Sequence, residues 1–362
     1  MYNYSDIKTL HLEITQRCQA ACPMCDRNEN GGAVNQHIRN DLKELDLVDC
    51  MEMFPPDFIS QLNVMYMCGN LGDPISARDT LEVMKYFREC NSEMWLSMNT
   101  NAGARDPEWW AELARTIGKN GTVIFSVDGL ENTNHLYRQG VVWGNVERNM
   151  KAFIAAGGRA RWDYLIFEHS ECDVERAEQL AAEWGCEKFT KKKSGRFITQ
   201  SSEAKETHQA VNRKGADTQQ LAKPKAAEYQ NLALLKQEEI KKTYGSMMEY
   251  YNKAHIVCKV TKDSSIFVTA EGLVMPCCWT AGRMYKWWHA DPKVEQIWDF
   301  IDAAGGKDGI SAKLHGVAGV FKSGIMENIQ RSWSLNSIAD GKLGVCAQKC
   351  GSEFDPFAEQ FK

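Results

Sequence analysis

Leu10-His11-Leu12-Glu13-Ile14-Thr15-Gln16-Arg17-Cys18-Gln19-Ala20-Ala21-Cys22-Pro23-Met24-Cys25 is the stretch that decides how this chain reads. Leu10, Leu12 and Ile14 alternate with polar residues, the period-two pattern of a half-buried strand. That strand runs directly into three cysteines spaced Cys-x3-Cys-x2-Cys. Three thiolates at this spacing can converge on one face of a compact loop. A closed structural zinc site needs four protein ligands, and no fourth Cys or His lies nearby in the sequence. Three thiolates suit a 4Fe–4S cluster with one iron left open, since thiolates are the usual ligands of such clusters.

Working outward, the strand pattern recurs. Strand candidates are Leu62 to Met67, Met94 to Met98, Thr122 to Val127, Arg161 to Phe167 and a short Glu187 to Thr190. Helices are predicted between them. Asp106 can cap one with Pro107 at its first position, and Trp110, Leu113, Ala114 and Ile117 then form one apolar stripe. Asn145 is read as the cap of the next helix, with Val146, Met150, Phe153 and Ile154 inward and Gly157 as the stop. Asp173 can start a third, ending near Gly185. Such alternation is the signature of a parallel sheet with crossover helices. Functional residues of these sheets gather at the carboxyl ends of the strands, and Cys68, Asn99, Asn101, Asp128, Glu168 and His169 all fall at such ends.

The chain has 362 residues, 43 Lys and Arg against 48 Asp and Glu, and a net charge of −5. The length predicts two or three domains. The composition excludes bulk disorder and fibrous classes, and the weak negative charge argues against a surface built wholly for nucleic acid. No stretch reaches the ~18 apolar residues of a membrane helix. The N-terminus carries neither a basic region nor an apolar core of a secretory signal. A cytoplasmic, reducing location is therefore expected, and the 13 cysteines read as ligands or buried thiols rather than a disulfide framework.

The alternation stops near residue 195. From Thr190 to Thr243 there are 12 Lys and Arg against 6 Asp and Glu, a local +6. The first half of this insertion reads as a loop or lid, and Ala226 to Tyr251 as helical. Beyond Cys258, Ser265–Thr269 and Leu273–Met275 read as a hairpin about Ala270-Glu271-Gly272. The expected divisions are 1–194, 195–250 and 251–362.

With Cys18-Gln-Ala-Ala-Cys22-Pro-Met-Cys25 placed after the first strand, the sequence resembles the radical SAM superfamily. In that family three cysteines hold a 4Fe–4S cluster whose open iron binds S-adenosylmethionine. One-electron cleavage then gives a 5′-deoxyadenosyl radical that abstracts hydrogen from substrate. Met24 stands where an aromatic residue is common. Gly69-Asn70-Leu71-Gly72-Asp73-Pro74 resembles the family's Gly-Gly-Glu-Pro segment, which meets the methionine amino group, with Asp73 in place of Glu. Its glycines would allow close backbone approach. Ser126 and Asp128, in Ser-Val-Asp-Gly, resemble the segment that meets ribose and carboxylate. Asn99 and Asn101 are candidate polar contacts to the cofactor, Arg138 a candidate partner of its carboxylate, and Phe167 a candidate wall for the adenine. The resemblance covers roughly residues 8–190. It implies an α/β fold, a partial (β/α)6 TIM-like barrel, followed by a small C-terminal domain.

Cys258-x13-Gly272-x4-Cys277, with Cys346-x3-Cys350 much later, resembles the SPASM and twitch extensions of this superfamily, which carry auxiliary 4Fe–4S clusters. The Cys-x2-Cys-x5-Cys-x3-Cys run of a complete SPASM pattern is absent. The resemblance implies one auxiliary cluster, held by Cys258, Cys277, Cys346 and Cys350. Cys278 rivals Cys277, and a four-cysteine zinc knuckle stays open as the alternative.

A fully ligated second cluster implies an electron relay, and hence a radical SAM oxidoreductase supplied by a donor such as flavodoxin or ferredoxin. The substrate expected is a peptide or protein side chain. Against it, the chain starts at the barrel, so a leader-binding module would come from a partner. A small alcohol or sugar-like molecule is the alternative, and the local +6 keeps nucleotides or nucleic acid in view. A degenerate iron–sulfur binding or electron-transfer module is the non-enzyme alternative. Cys68, Glu168 and His169 are the candidate proton or hydrogen partners.

Overall fold

A computed structural model of the chain describes residues 2–197 and 205–357. Ten strands are present among them: β1 Thr9–Leu12, β2 Val64–Met67, β3 Trp95–Thr100, β4 Gly121–Ser126, β5 Ala160–Ile166, β6 Lys188–Lys193, β7 Thr207–Val211, β8 Asp217–Ala222, β9 Ser265–Val268 and β10 Val274–Met275. Eight of them form one sheet in the order β10-β9-β1-β2-β3-β4-β5-β6. Every pairing from β9 to β6 is parallel, and only β10 runs antiparallel to its neighbour. The six strands expected from the alternation are thus the six of the partial barrel.

Register separates the two faces of the sheet, because paired residues share a side and successive residues alternate. One face carries Leu10, Leu12, Met65, Met67, Leu96, Met98, Val123, Phe125 and Trp162, all fully buried. Helices Thr80–Cys90, Pro107–Ile117, Trp143–Ala155 and Val174–Trp184 follow β2, β3, β4 and β5 in turn, as the crossovers of parallel strands must. Trp110, Leu113, Ala114 and Ile117 are all buried, and the Asp106 carboxylate accepts from the Trp109 amide at 2.8 Å. The opposite face lines the barrel. Its rows run Phe267–His11–Tyr66–Ser97–Thr122, then Asn99–Ile124–Arg161–Lys188, then Ser126–Asp163–Thr190 and Leu165–Lys192. This lumen is polar and charged.

Three local expectations change. Asn145 is not a cap: the helix begins at Trp143 with Val142 before it, three residues earlier than expected. Residues 207–222 are not a loop but an antiparallel hairpin, β7 with β8. It has few apolar residues and little alternation, which hid it. Asn212 supplies the turn, its side chain accepting from the Lys214 and Ala216 amides, with Gly215 at positive φ. Finally, the C-terminal hairpin β9–β10 does not stand apart from the barrel. It adds to the barrel's own sheet beside β1.

Candidate functional site

The first cysteine loop leaves the carboxyl end of β1 and is held from four sides. Asn101 donates toward the Cys18 sulfur at 3.6 Å, and Arg138 toward the Cys22 sulfur at 3.8 Å. The Cys25 sulfur lies 3.9 Å from the Asn70 carbonyl oxygen. Arginines brace the loop backbone. Arg27 Nε donates to the Gln16 carbonyl at 2.9 Å, Arg196 to the Met24 carbonyl at 2.9 Å, and Arg213 to the Gln19 carbonyl. Burial raises all three thiols, Cys22 to about 11. Burial alone therefore keeps these thiols protonated, and a metal centre held by them would have to displace the protons, since such ligands bind deprotonated.

The Gly-Asn-Leu-Gly-Asp-Pro segment follows β2 and packs against this loop. A Cβ on Gly72 would sit 1.8 Å from the Thr15 carbonyl oxygen, and the Asp73 amide donates to the Arg17 carbonyl at 2.9 Å. The freedom of Gly72 is therefore spent on close contact with the cysteine loop itself. Asp73 is buried. It accepts from the Asn101 amide at 2.8 Å and the Asn101 side chain at 2.6 Å, and it caps the turn begun by Pro74 through the Ile75 amide at 3.2 Å. Gln19 donates in turn to Asn101. Asp73, Asn101 and the cysteine loop are one hydrogen-bonded unit.

Asp128, after β4, is 1% exposed. It accepts from Arg138 Nε at 2.6 Å and from the Leu165 amide at 2.7 Å. Burial works against the charge of Arg138, but Asp128 and Cys22 outweigh it and hold the guanidinium firmly protonated. Asn99 and Ser126 face the lumen, partly exposed.

Other expected residues are placed differently. The Asn70 side chain is committed to the Cys278 carbonyl at 2.7 Å. Phe167 is fully buried among Tyr137, His169 and Phe197, and Glu168 is paired with Lys225. His169 stacks on Phe167 with its Nε2 buried, and burial lowers its pKa. Cys68 remains partly open to the lumen, and its backbone carbonyl is bonded to His11. Three site-building residues escaped the sequence reading. Arg196 and Gln19 carried no signal. Glu13 did: it is polar inside an alternating strand. Glu13 is 1% exposed, accepts from the Leu71 amide at 2.6 Å, and burial pushes its carboxyl up to about 7 against its backbone hydrogen bonds.

The second cysteine set also converges. Cys258, Cys277, Cys346 and Cys350 line one narrow cleft together with Ile256, Trp279 and Trp333. Cys258 and Cys350 share a hydrogen bond that lowers the first thiol and raises the second. Cys278 is not in this cleft. It lines an adjoining cavity of about 180 Å³ with His11, Tyr66 and Phe267. Among the described residues, no three His, Cys, Asp or Glu side chains stand close enough to share one ion. An all-thiol donor set fits a cluster and a four-cysteine zinc ion alike. Among the described residues, no helix is long and apolar enough to cross a membrane.

No family model matches this chain, and neither does any curated protein. Its fold does match solved structures. The structure of Streptococcus suis SuiB bound to S-adenosylmethionine aligns over 98% of this chain and 77% of that one, at 14% identity and a TM-score of 0.52. The structure of SuiB bound to its precursor peptide SuiA aligns over 77% of this chain and 61% of that one, at 15% identity and a TM-score of 0.50. In a further SuiB structure the matched share of that chain is 65%, so the chain spans less than two thirds of SuiB in two of these alignments. At such identity the likeness is one of fold.

Proposed function

We propose that this chain is a radical S-adenosylmethionine enzyme with one auxiliary 4Fe–4S cluster, acting as an oxidoreductase on a peptide or protein side chain. The observation that carries the reading is the unit built from Cys18, Cys22, Cys25, Asp73, Asn101, Asp128 and Arg138 at the carboxyl ends of parallel strands. When bound, the first cluster and S-adenosylmethionine supply a 5′-deoxyadenosyl radical. Cys18, Cys22 and Cys25 would hold that cluster. Asp73 and Asn101 fix the loop beside it, and by the resemblance the Gly69–Pro74 segment would meet the cofactor's amino group. Arg138, held protonated by Asp128, offers a guanidinium to its carboxylate. The lumen rows of Asn99, Ser126, Arg161 and Asp163 would supply the polar wall of a substrate chamber. Cys258, Cys277, Cys346 and Cys350 would hold the auxiliary cluster, whose role is to accept the electron left on the substrate. The peptide substrate is supported by the fold shared with SuiB, whose structure was determined with the peptide SuiA. Barrel 1–194, insertion 195–250 and cluster domain 251–362 are the proposed functional divisions.

The test is iron and sulfide per chain after anaerobic reconstitution, with 5′-deoxyadenosine measured after adding dithionite and S-adenosylmethionine. About eight irons are expected, falling to about four in the Cys18→Ala/Cys22→Ala/Cys25→Ala variant, as two four-iron clusters require. The variant should make no 5′-deoxyadenosine. About four irons with bound zinc, falling to none in the variant, would remove the auxiliary cluster from the reading.

A further inference from the structure

The hairpin β7–β8 is unexplained by the barrel and by either cysteine set, yet it is fastened onto the first of them. Its tip residue Arg213 donates to the Gln19 carbonyl, next to Cys18. The Val211 amide donates to the Asn30 carbonyl at 3.0 Å. Gly31 and Gly32 are in such close contact with Val211 that a Cβ on either would come within 2.9 Å of it. Gln219 reaches the Leu136 carbonyl on the neighbouring loop. The base is tied down as well: Glu171 accepts from the Lys225 amide at 2.8 Å and the Ala226 amide at 3.1 Å. The outer surface of the cysteine loop is therefore presented through this hairpin.

That surface is basic in an acidic chain. Residues 205–225 hold five cations, Lys205, Arg213, Lys214, Lys223 and Lys225, against two carboxylates, Glu206 and Asp217. Lys223 is spent on Glu206 at 2.8 Å, and Lys225 on Glu168. Lys205 and Lys214 are exposed, at the base and the tip. Arg196 adds a further exposed cation, bonded to the Met24 carbonyl of the same loop. With a net charge of −5 overall, a local positive surface at this spot steers a negatively charged partner to it and away from the rest of the molecule.

From this placement we propose that the hairpin is the docking surface for an acidic one-electron donor protein. This rests on the function proposed above. The donor loses one electron for each S-adenosylmethionine cleaved. That electron enters the breaking carbon–sulfur bond, and methionine and the 5′-deoxyadenosyl radical are the two fragments. Steering by surface charge of this kind changes association by 10- to 1000-fold and fades with salt.

The test compares the wild-type holoenzyme with Lys205→Glu/Lys214→Glu and with the charge-conserving Lys205→Arg/Lys214→Arg. The probe is a flavodoxin of net negative charge, titrated for affinity at low and at high salt. Charge reversal should weaken flavodoxin binding roughly tenfold at low salt, with the gap closing at high salt and the arginine variant binding like wild type. Flavodoxin-driven formation of 5′-deoxyadenosine should fall in parallel, while dithionite-driven formation stays unchanged. Unchanged affinity in the reversed variant would overturn the proposal. So would an equal loss with dithionite, which would make the hairpin a support for the cysteine loop. Tighter binding of a single-stranded oligonucleotide than of flavodoxin, abolished by the same reversal, would reassign the surface to nucleic acid. Absence of dithionite-driven product in wild type would instead sink the parent function, and the flavodoxin titration would still judge the docking.

Discussion

Asp128→Asn should be among the most damaging single changes in the barrel, although it alters one atom in a side chain. Asp128 is 1% exposed and Arg138 only 19%. The two are joined at 2.6 Å, and the second Asp128 oxygen accepts from the Leu165 amide at 2.7 Å. The asparagine leaves the guanidinium without its counter-charge in a site that excludes water. Removing one partner of a buried ion pair costs about 3–5 kcal/mol. Unfolding entropy near 2.1 cal/mol/K per residue gives about 0.76 kcal/mol/K over the 362 residues. The melting temperature of the metal-free protein should therefore fall by about 4–7 °C in calorimetry. Replacing both partners, Asp128→Asn with Arg138→Met, should recover most of that loss, because an apolar substitute leaves no buried charge to desolvate. Reconstituted iron should also fall in the single variant, since Arg138 stands 3.8 Å from the Cys22 sulfur. A shift below about 1 °C, or a double variant no better than the single one, would refute the reasoning.

Glu13 predicts a pH dependence of the opposite kind from a salt-bridged carboxylate. Its folded pKa is raised from 4.5 to about 7, by burial first. The folded state thus binds the proton more tightly, and the stabilisation is full below about 4.5 and lost as pH rises through 7. Wild type should lose on the order of 3 kcal/mol more than Glu13→Gln between pH 5 and pH 8 in urea titrations, and parallel curves would discount the burial argument. At Gly72, the Cβ of an alanine would meet the Thr15 carbonyl oxygen at 1.8 Å. Gly72→Ala should therefore push the cysteine loop off its seat and lower both melting temperature and iron content. Normal values for both would show that the loop yields easily. For the second site, Cys277→Ser should remove about four irons and Cys278→Ser none, read by iron analysis; loss in the second variant alone would exchange their roles.

The alternation of Leu10, Leu12 and Ile14 marked the first strand, and the short apolar runs ending in polar residues marked the others, so the order of the barrel strands was legible. Side-chain capping was legible where the cap was a carboxylate, as at Asp106, and misread at Asn145. There Val142 precedes the first helical turn with no side-chain acceptor. The Cys-x3-Cys-x2-Cys spacing marked the first cysteine set, because residues so close in sequence must be close in space. Arg196 and Gln19 could not be found this way. Arg196 acts on the Met24 carbonyl and Gln19 on the Asn101 side chain, partners that only the folded loop brings within reach. The β7–β8 hairpin was hidden for another reason. It is held by polar tip and base contacts rather than by an apolar face, so its strands carry no period-two signal.

The placement of β9 bears on how the two cysteine sets could act together. Had the C-terminal hairpin formed a sheet of its own, the two sets would be connected only through flexible chain. Instead β9 pairs with β1 from Thr9↔Ser265 to Leu12↔Val268, and β1 leads to Cys18 while β10 leads to Cys277. Neighbouring residues then split between two compartments. Cys277 lines the cleft shared with Cys258, Cys346 and Cys350, whereas Cys278 lines the cavity shared with His11 and Tyr66 of the barrel. Cys277 lines that cavity too, so this residue borders both compartments. The Cys278 carbonyl takes the hydrogen bond of Asn70 from the loop that packs on the first set. The second cysteine set is therefore joined to the barrel by one continuous sheet, and on the function proposed above a cluster held there would be fixed relative to the barrel rather than tethered to it.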